Sequence, residues 1–179
     1  TITAPLVASA VASGNKEEAR ERVCESLFLS NLLGALGTII LVGFLRVGLS
    51  LVLPEGAPVM EYAAPYLRLR AALSMIPVLM SATGFAAFRG MLDTVTPLKV
   101  SLVTNLVNLI LDPIMIFLTP LGVVGAALAT AVSEFVSGGI YLRLLLRRKL
   151  AKISQILRPP SFKSLMPLLK GGVSMLGRQ

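Results

Sequence analysis

Two carboxylates stand alone in a long apolar stretch. Residues 100 to 142 carry only the charges of Asp112 and Glu134, and an ionisable group inside an apolar span is costly enough to read as functional. Asp112 has polar company. At about 100° per residue on a helix, Ser101, Asn105, Asn108 and Asp112 fall within an arc of roughly 60°, while Leu102, Leu106, Leu109 and Ile110 point elsewhere. Pro113 lacks an N–H and so frees the carbonyl of Leu109, one turn earlier. The result is an oxygen-rich pocket on one helix face, suited to hard cations and protons. Asp112 is the expected coupling-ion residue, with Asn108 beside it. On the next apolar segment Ala126, Thr130, Glu134 and Gly138 repeat every four residues, so that Thr130 can complete the pocket. Asn105 and Glu134 are expected to line a cavity. For each of these polar residues, hydrogen bonding to a neighbouring helix as packing glue is the competing reading.

Other chemistries fail on composition. There is no His and one Cys, Cys24, which excludes the usual zinc and transition-metal sites, His-based acid/base catalysis and an internal disulfide framework. Asp112 and Glu134 have neither a nucleophile nor a metal shell with them, so an enzyme is the least supported class, and no catalytic residue, metal or organic cofactor is expected. The run Gly84 to Gly90 is no phosphate cradle, because it lacks the Gly-Lys-Ser/Thr ending and follows an apolar helix rather than a strand.

Four apolar spans must position these residues. Of the 179 residues 55% are hydrophobic and 15% charged, against about 25% charged in an average soluble domain. Ser26 to Leu45 are 20 consecutive uncharged residues, about the length that crosses a hydrocarbon core. Spans are expected near 26–53, 62–89, 97–118 and 122–146, the last two divided by the turn Thr119-Pro120-Leu121-Gly122. If they alternate, 14 of the 17 Lys and Arg lie on one side, which makes that side cytoplasmic or its organellar equivalent. The nine basic residues from Arg143 onward are read as a cluster facing anionic headgroups, not nucleic acid. The expected organisation is a cut helix and loop over 1–25, four spans over 26–146, a basic connector over 147–164 with interrupted amphipathic stretches around Pro159-Pro160, and the start of another span over 165–179. Thr1 and Gln179 both fall in apolar sequence, so the chain is read as a piece of a longer one.

The order of several motifs resembles one family. Gly84-Phe-Ala-Ala-Phe-Arg-Gly-Met-Leu-Asp-Thr-Val-Thr-Pro-Leu98, Asn105-Leu-Val-Asn-Leu-Ile-Leu-Asp-Pro-Ile-Met-Ile-Phe117 and Leu121-Gly-Val-Val-Gly-Ala-Ala-Leu-Ala-Thr130 are similar to segments of the multidrug and toxic compound extrusion (MATE) transporters. Ala4-Pro5-Leu6, Gly14-Asn15-Lys16-Glu17-Glu18-Ala19 and Ala64-Pro65-Tyr66-Leu67-Arg68 match as well. The resemblance implies an all-α polytopic transmembrane bundle: the end of helix two, helices three to six, the interlobe connector and the start of helix seven of a twelve-helix, two-lobed fold. It places Asn108, Asp112 and Thr130 where several members keep polar residues of an amino-lobe cation or proton site. A helix-one carboxylate of that site lies outside this sequence, and the choice between sodium and protons stays open. The implied partners are membrane lipid, a small organic substrate and the other half of the transporter. A lipid-linked oligosaccharide flippase of related architecture and a truncated, non-transporting membrane protein are the alternatives.

Overall fold

A computed structural model describes residues 3–52 and 58–156. Along the chain run α1 (Thr3–Ala12), α2 (Lys16–Gly43), α3 (Leu45–Val52), α4 (Val59–Gly90), α5 (Val95–Phe117), α6 (Val123–Arg147) and α7 (Ile153–Ile156). Four of them, α2, α4, α5 and α6, are long and apolar enough to span a bilayer. The expected span over 165–179 and the stretches around Pro159-Pro160 lie outside the described residues.

The first expected span differs from the observed helix at both ends. It begins at Lys16 rather than 26, because Asn15 caps it: the Asn15 Oδ1 accepts from the Glu18 amide at 3.1 Å, and Glu17 and Glu18 occupy the positive end of the helix dipole. The charged turns that follow pair with each other along the helix, Arg20 with Glu17 and Arg22 with Glu25. An uncharged run marks where a helix enters apolar surroundings, not where it starts. The far end breaks at Phe44, and α3 continues from there. By contrast α4 runs unbroken through Pro65 and Pro77, and α5 through Pro113.

The helices form a layer in which α4 packs against α2 and α6, and α5 packs chiefly against α6. Small residues set these contacts. A Cβ on Gly84 would lie 2.6 Å from Tyr141 Cβ, one on Gly34 3.0 Å from the Ile76 backbone, and one on Gly125 would collide with the Met115 carbonyl oxygen. Such close approach is how helices associate where no water drives them together. The densest packing lies near the basic loops, where Val7, Val23, Leu27, Phe88, Tyr141 and Leu145 form one cluster. Only Pro97 and Val100 of α5 are buried, so α5 hangs on the α6 seam.

That seam predicts a contrast. Gly125→Ala should destabilise the protein by about 1–3 kcal/mol through overpacking, lowering the thermal midpoint in detergent. Gly139, also on α6, has open space around it, and Gly139→Ala should be neutral or stabilise by up to about 1 kcal/mol.

Candidate functional site

The polar stripe of α5 is linked along the helix. Asn108 Nδ2 donates to Asp112 Oδ1 at 3.5 Å, a long hydrogen bond, and Asn105 Nδ2 donates to Ser101 Oγ at 3.3 Å. Asn108 and Asp112 are half-buried and Asn105 is exposed, while Leu106 and Ile110 on the far side of the helix lie open. The i, i+4 spacing that brings Asn108 to Asp112 is a property of the helix itself, which is why sequence alone could find it.

Thr130 has a different bond. Its hydroxyl donates to the Ala126 carbonyl one turn back on α6, at 2.9 Å. This uses the proton and leaves the oxygen lone pairs for an acceptor role. Antiparallel α5 and α6 meet at Met115 and Gly125, and counting outward from that contact puts Asp112 and Thr130 at similar depth.

Glu134 is not a lone carboxylate. Arg70 on α4 reaches it, Nη2 to Oε1 at 3.4 Å, with the Glu134 side chain 16% and the Arg70 side chain 37% exposed. The second oxygen, Oε2, is buried without a hydrogen-bond partner among the described residues. Arg70 went unnoticed because it sits 64 residues away in sequence, and no local pattern signals such a pairing. The expectation that Glu134 has no basic neighbour holds along the chain but not across the bundle.

Asn105 lines a cleft of about 250 Å³ between α4, α5 and α6, together with Ser81, Ser101, Thr104, Ser137 and Tyr141. Below it the Asp93 carboxylate holds the α4–α5 loop. Its Oδ1 accepts from the Thr96 amide at 2.9 Å, its Oδ2 from the Thr96 hydroxyl at 2.7 Å, and Arg148 Nη1 approaches Oδ2 to 2.7 Å. Arg148 also lies 5.0 Å from the Phe88 ring centroid. Arg148 thereby ties the start of the basic connector to the loop that precedes α5.

Comparison with known proteins decides the family. The MatE family model matches residues 2–114, more than half of the chain. The chain belongs to the MatE family. Protein DETOXIFICATION 43 of Arabidopsis thaliana is 35% identical over 157 residues, 86% of this chain and 28% of that protein. The probable multidrug resistance protein NorM of Thermotoga maritima is 33% identical over 175 residues, 93% of this chain and 36% of that protein. Among solved structures, an inward-facing multidrug resistance MATE family transporter superposes with a TM-score of 0.83 at 26% identity, over 96% of this chain and 39% of the other. An outward-facing one gives 0.84 at 25% identity, over 94% and 37%. The chain thus spans roughly a quarter to two fifths of the relatives it matches. It is an integral, multi-pass membrane protein of a transporter family, and its spans form part of the MATE helix bundle.

Two outcomes follow from the ion pairs. For Arg70 and Glu134, partial exposure puts the coupling between the ~1 kcal/mol of surface pairs and the ~3–5 kcal/mol lost on breaking buried ones. Arg70→Met should lower thermal stability more than Arg70→Met with Glu134→Gln, since the double variant leaves no bare charge. For Asp93, the Thr96 amide, then its hydroxyl and Arg148, draw the carboxyl down from the usual 3.8 to about 2. A depressed carboxyl stabilises the fold fully above its unfolded value and loses that contribution as pH falls through the folded one. The stability advantage of wild type over Asp93→Asn should accordingly shrink between about pH 4 and pH 2, read as the difference in thermal midpoints.

Proposed function

We propose that the chain forms most of the amino-terminal lobe of a secondary antiporter that exports small organic compounds in exchange for protons or sodium, with the coupling ion held at Asp112. The observation that carries this reading is the Asn108–Asp112 pair, half-buried on a polar helix face inside a transmembrane bundle. Asn108 orients the carboxylate through Oδ1 and leaves Oδ2 for an ion. Thr130, at similar depth on the neighbouring helix, adds an oxygen with free lone pairs. Ligands of this kind are oxygen-only, which fits a proton or an alkali cation better than a soft metal.

The likeness to relatives in both states supports the transport cycle. Nearly equal TM-scores against inward- and outward-facing chains fit a unit that keeps its helix arrangement while moving against the rest of the transporter. Ion binding next to Pro113, where the helix has lost one backbone hydrogen bond, is the step proposed to bias that motion. The names of the relatives, a DETOXIFICATION protein and a probable multidrug resistance protein, agree with organic compounds as cargo.

Asp112→Asn in the full-length transporter should abolish ion-driven efflux at normal expression, and unchanged efflux would remove Asp112 from the mechanism. Asn108→Ala should weaken ion affinity by about 10- to 100-fold, as loss of a group that orients a ligand does.

A further inference from the structure

The cleft between α4, α5 and α6 is lined by too many hydroxyls for a surface that faces lipid. Ser81 comes from α4, Ser101, Thr104 and Asn105 from α5, and Ser137 and Tyr141 from α6. Their bonding is incomplete. Thr104 gives its proton to the Val100 carbonyl at 2.9 Å, and Ser101 accepts from Asn105. The Ser81 Oγ, however, is buried with no hydrogen-bond partner among the described residues. A buried hydroxyl left bare costs about 1–3 kcal/mol, so a polar occupant is the economical solution. A volume of about 250 Å³ admits several waters at roughly 30 Å³ each.

Position gives the cleft a purpose. Its wall at Phe85 lies one turn before α4 ends at Gly90, and the Arg89 guanidinium sits 5.6 Å from the Phe85 ring centroid, which puts this end near the basic loops. Its other end is Asn105, from which the same face of α5 continues through Asn108 to Asp112. Asn105 and Asp112 are seven residues apart, about 10 Å along a helix. On α6 the facing residues Tyr141, Ser137, Ser133 and Thr130 climb in parallel, with Ser133 Oγ donating to the Thr130 carbonyl at 2.8 Å.

We propose that this cleft is a hydrated passage joining the basic-loop side of the membrane to Asp112, through which the coupling ion leaves, with Ser81, Ser137 and Asn105 holding its water. The proposal rests on the reading of Asp112 as the ion site only for the destination of the passage; that the cleft is wet from the basic-loop side stands on its own lining.

The test uses single cysteines in the full-length transporter with its other cysteines replaced, Cys24→Ser included, reconstituted in vesicles of known orientation. Ser81→Cys and Ser137→Cys should react with a small, charged, membrane-impermeant methanethiosulfonate applied to the basic-loop side. A hydrated thiol ionises more readily than one in apolar surroundings, so the rate should exceed that of the exposed Ile110→Cys, which is on the other side of α5, by about tenfold or more. Rates no faster than Ile110→Cys, or reaction only from the opposite side, would overturn the passage. Should Ser81→Cys fail to assemble, Asn105→Cys carries the same expectation and decides in its place. In parallel, Ser81→Leu should slow ion-driven efflux while leaving ion affinity within about twofold, because it fills the passage without touching Asn108 or Asp112; a lost affinity with an unreactive cleft would show a merely structural role. Reactive cysteines together with normal efflux by Asp112→Asn would sink the ion-site reading and leave the wet cleft standing. Unreactive cysteines with inactive Asp112→Asn would do the reverse.

Discussion

Between helices in a bilayer no water is squeezed out, so attraction comes from close contact and hydrogen bonds. For the helix that carries Asp112, that constraint is concentrated at one crossing. The Gly125 backbone lies against the carbonyl of Met115, so near that even a methyl group would collide. Met115 O is itself engaged by the Thr119 hydroxyl at 2.6 Å, and Gly122, at φ +52°, turns the chain back into α6. These three features fix the depth and rotation of α5 against α6. Since α5 has almost no other buried contact, the meeting of Ser101 and Asn105 with Ser137 in one cleft depends on them. A residue larger than glycine at 125 would shift the polar face of α5 without being part of it.

The rest of the bundle is held more firmly. Gly34 on α2 receives Ile76 of α4, Gly84 on α4 receives Tyr141 of α6, and the Arg70–Glu134 pair adds an electrostatic tie between α4 and α6. At the basic-loop end Arg148 clasps the loop before α5 to the end of α6 through Asp93 and Thr96. Thus α4 is packed between α2 and α6, and α5 is anchored at its two ends with a polar face between. A helix mounted this way would be free to respond at its middle to an ion bound at the site proposed for Asp112.

How much of this was legible in the sequence depends on the range of the interaction. The spans were readable because hydrocarbon demands about 20 apolar residues whatever the fold, and Asn108 with Asp112 because helix geometry alone brings i and i+4 together. The turn at 119–122 was readable from its residue types. What failed was the entry of α2, where ten residues of charged helix precede the apolar run and length rules are silent. Arg70 escaped for a related reason: it lies near the end of a basic stretch, Arg68 to Arg70, that the sidedness count assigns to the aqueous border, while its long side chain extends inward to Glu134.

Thr130 marks the remaining gap. Its spacing on α6 suggested a face but could not say which way its hydroxyl proton would point, because a threonine in an apolar helix can satisfy itself on the carbonyl one turn back. That local bond has a chemical consequence. A hydroxyl that donates to Ala126 cannot also donate to Asp112, so its contribution to an ion site must come through its lone pairs, which suits a bound cation directly. In the site proposed for Asp112, Thr130 would therefore favour the loaded form over the empty carboxylate, and the strength of ion binding would depend on the integrity of the first turns of α6, the same turns that Gly125 seats against α5.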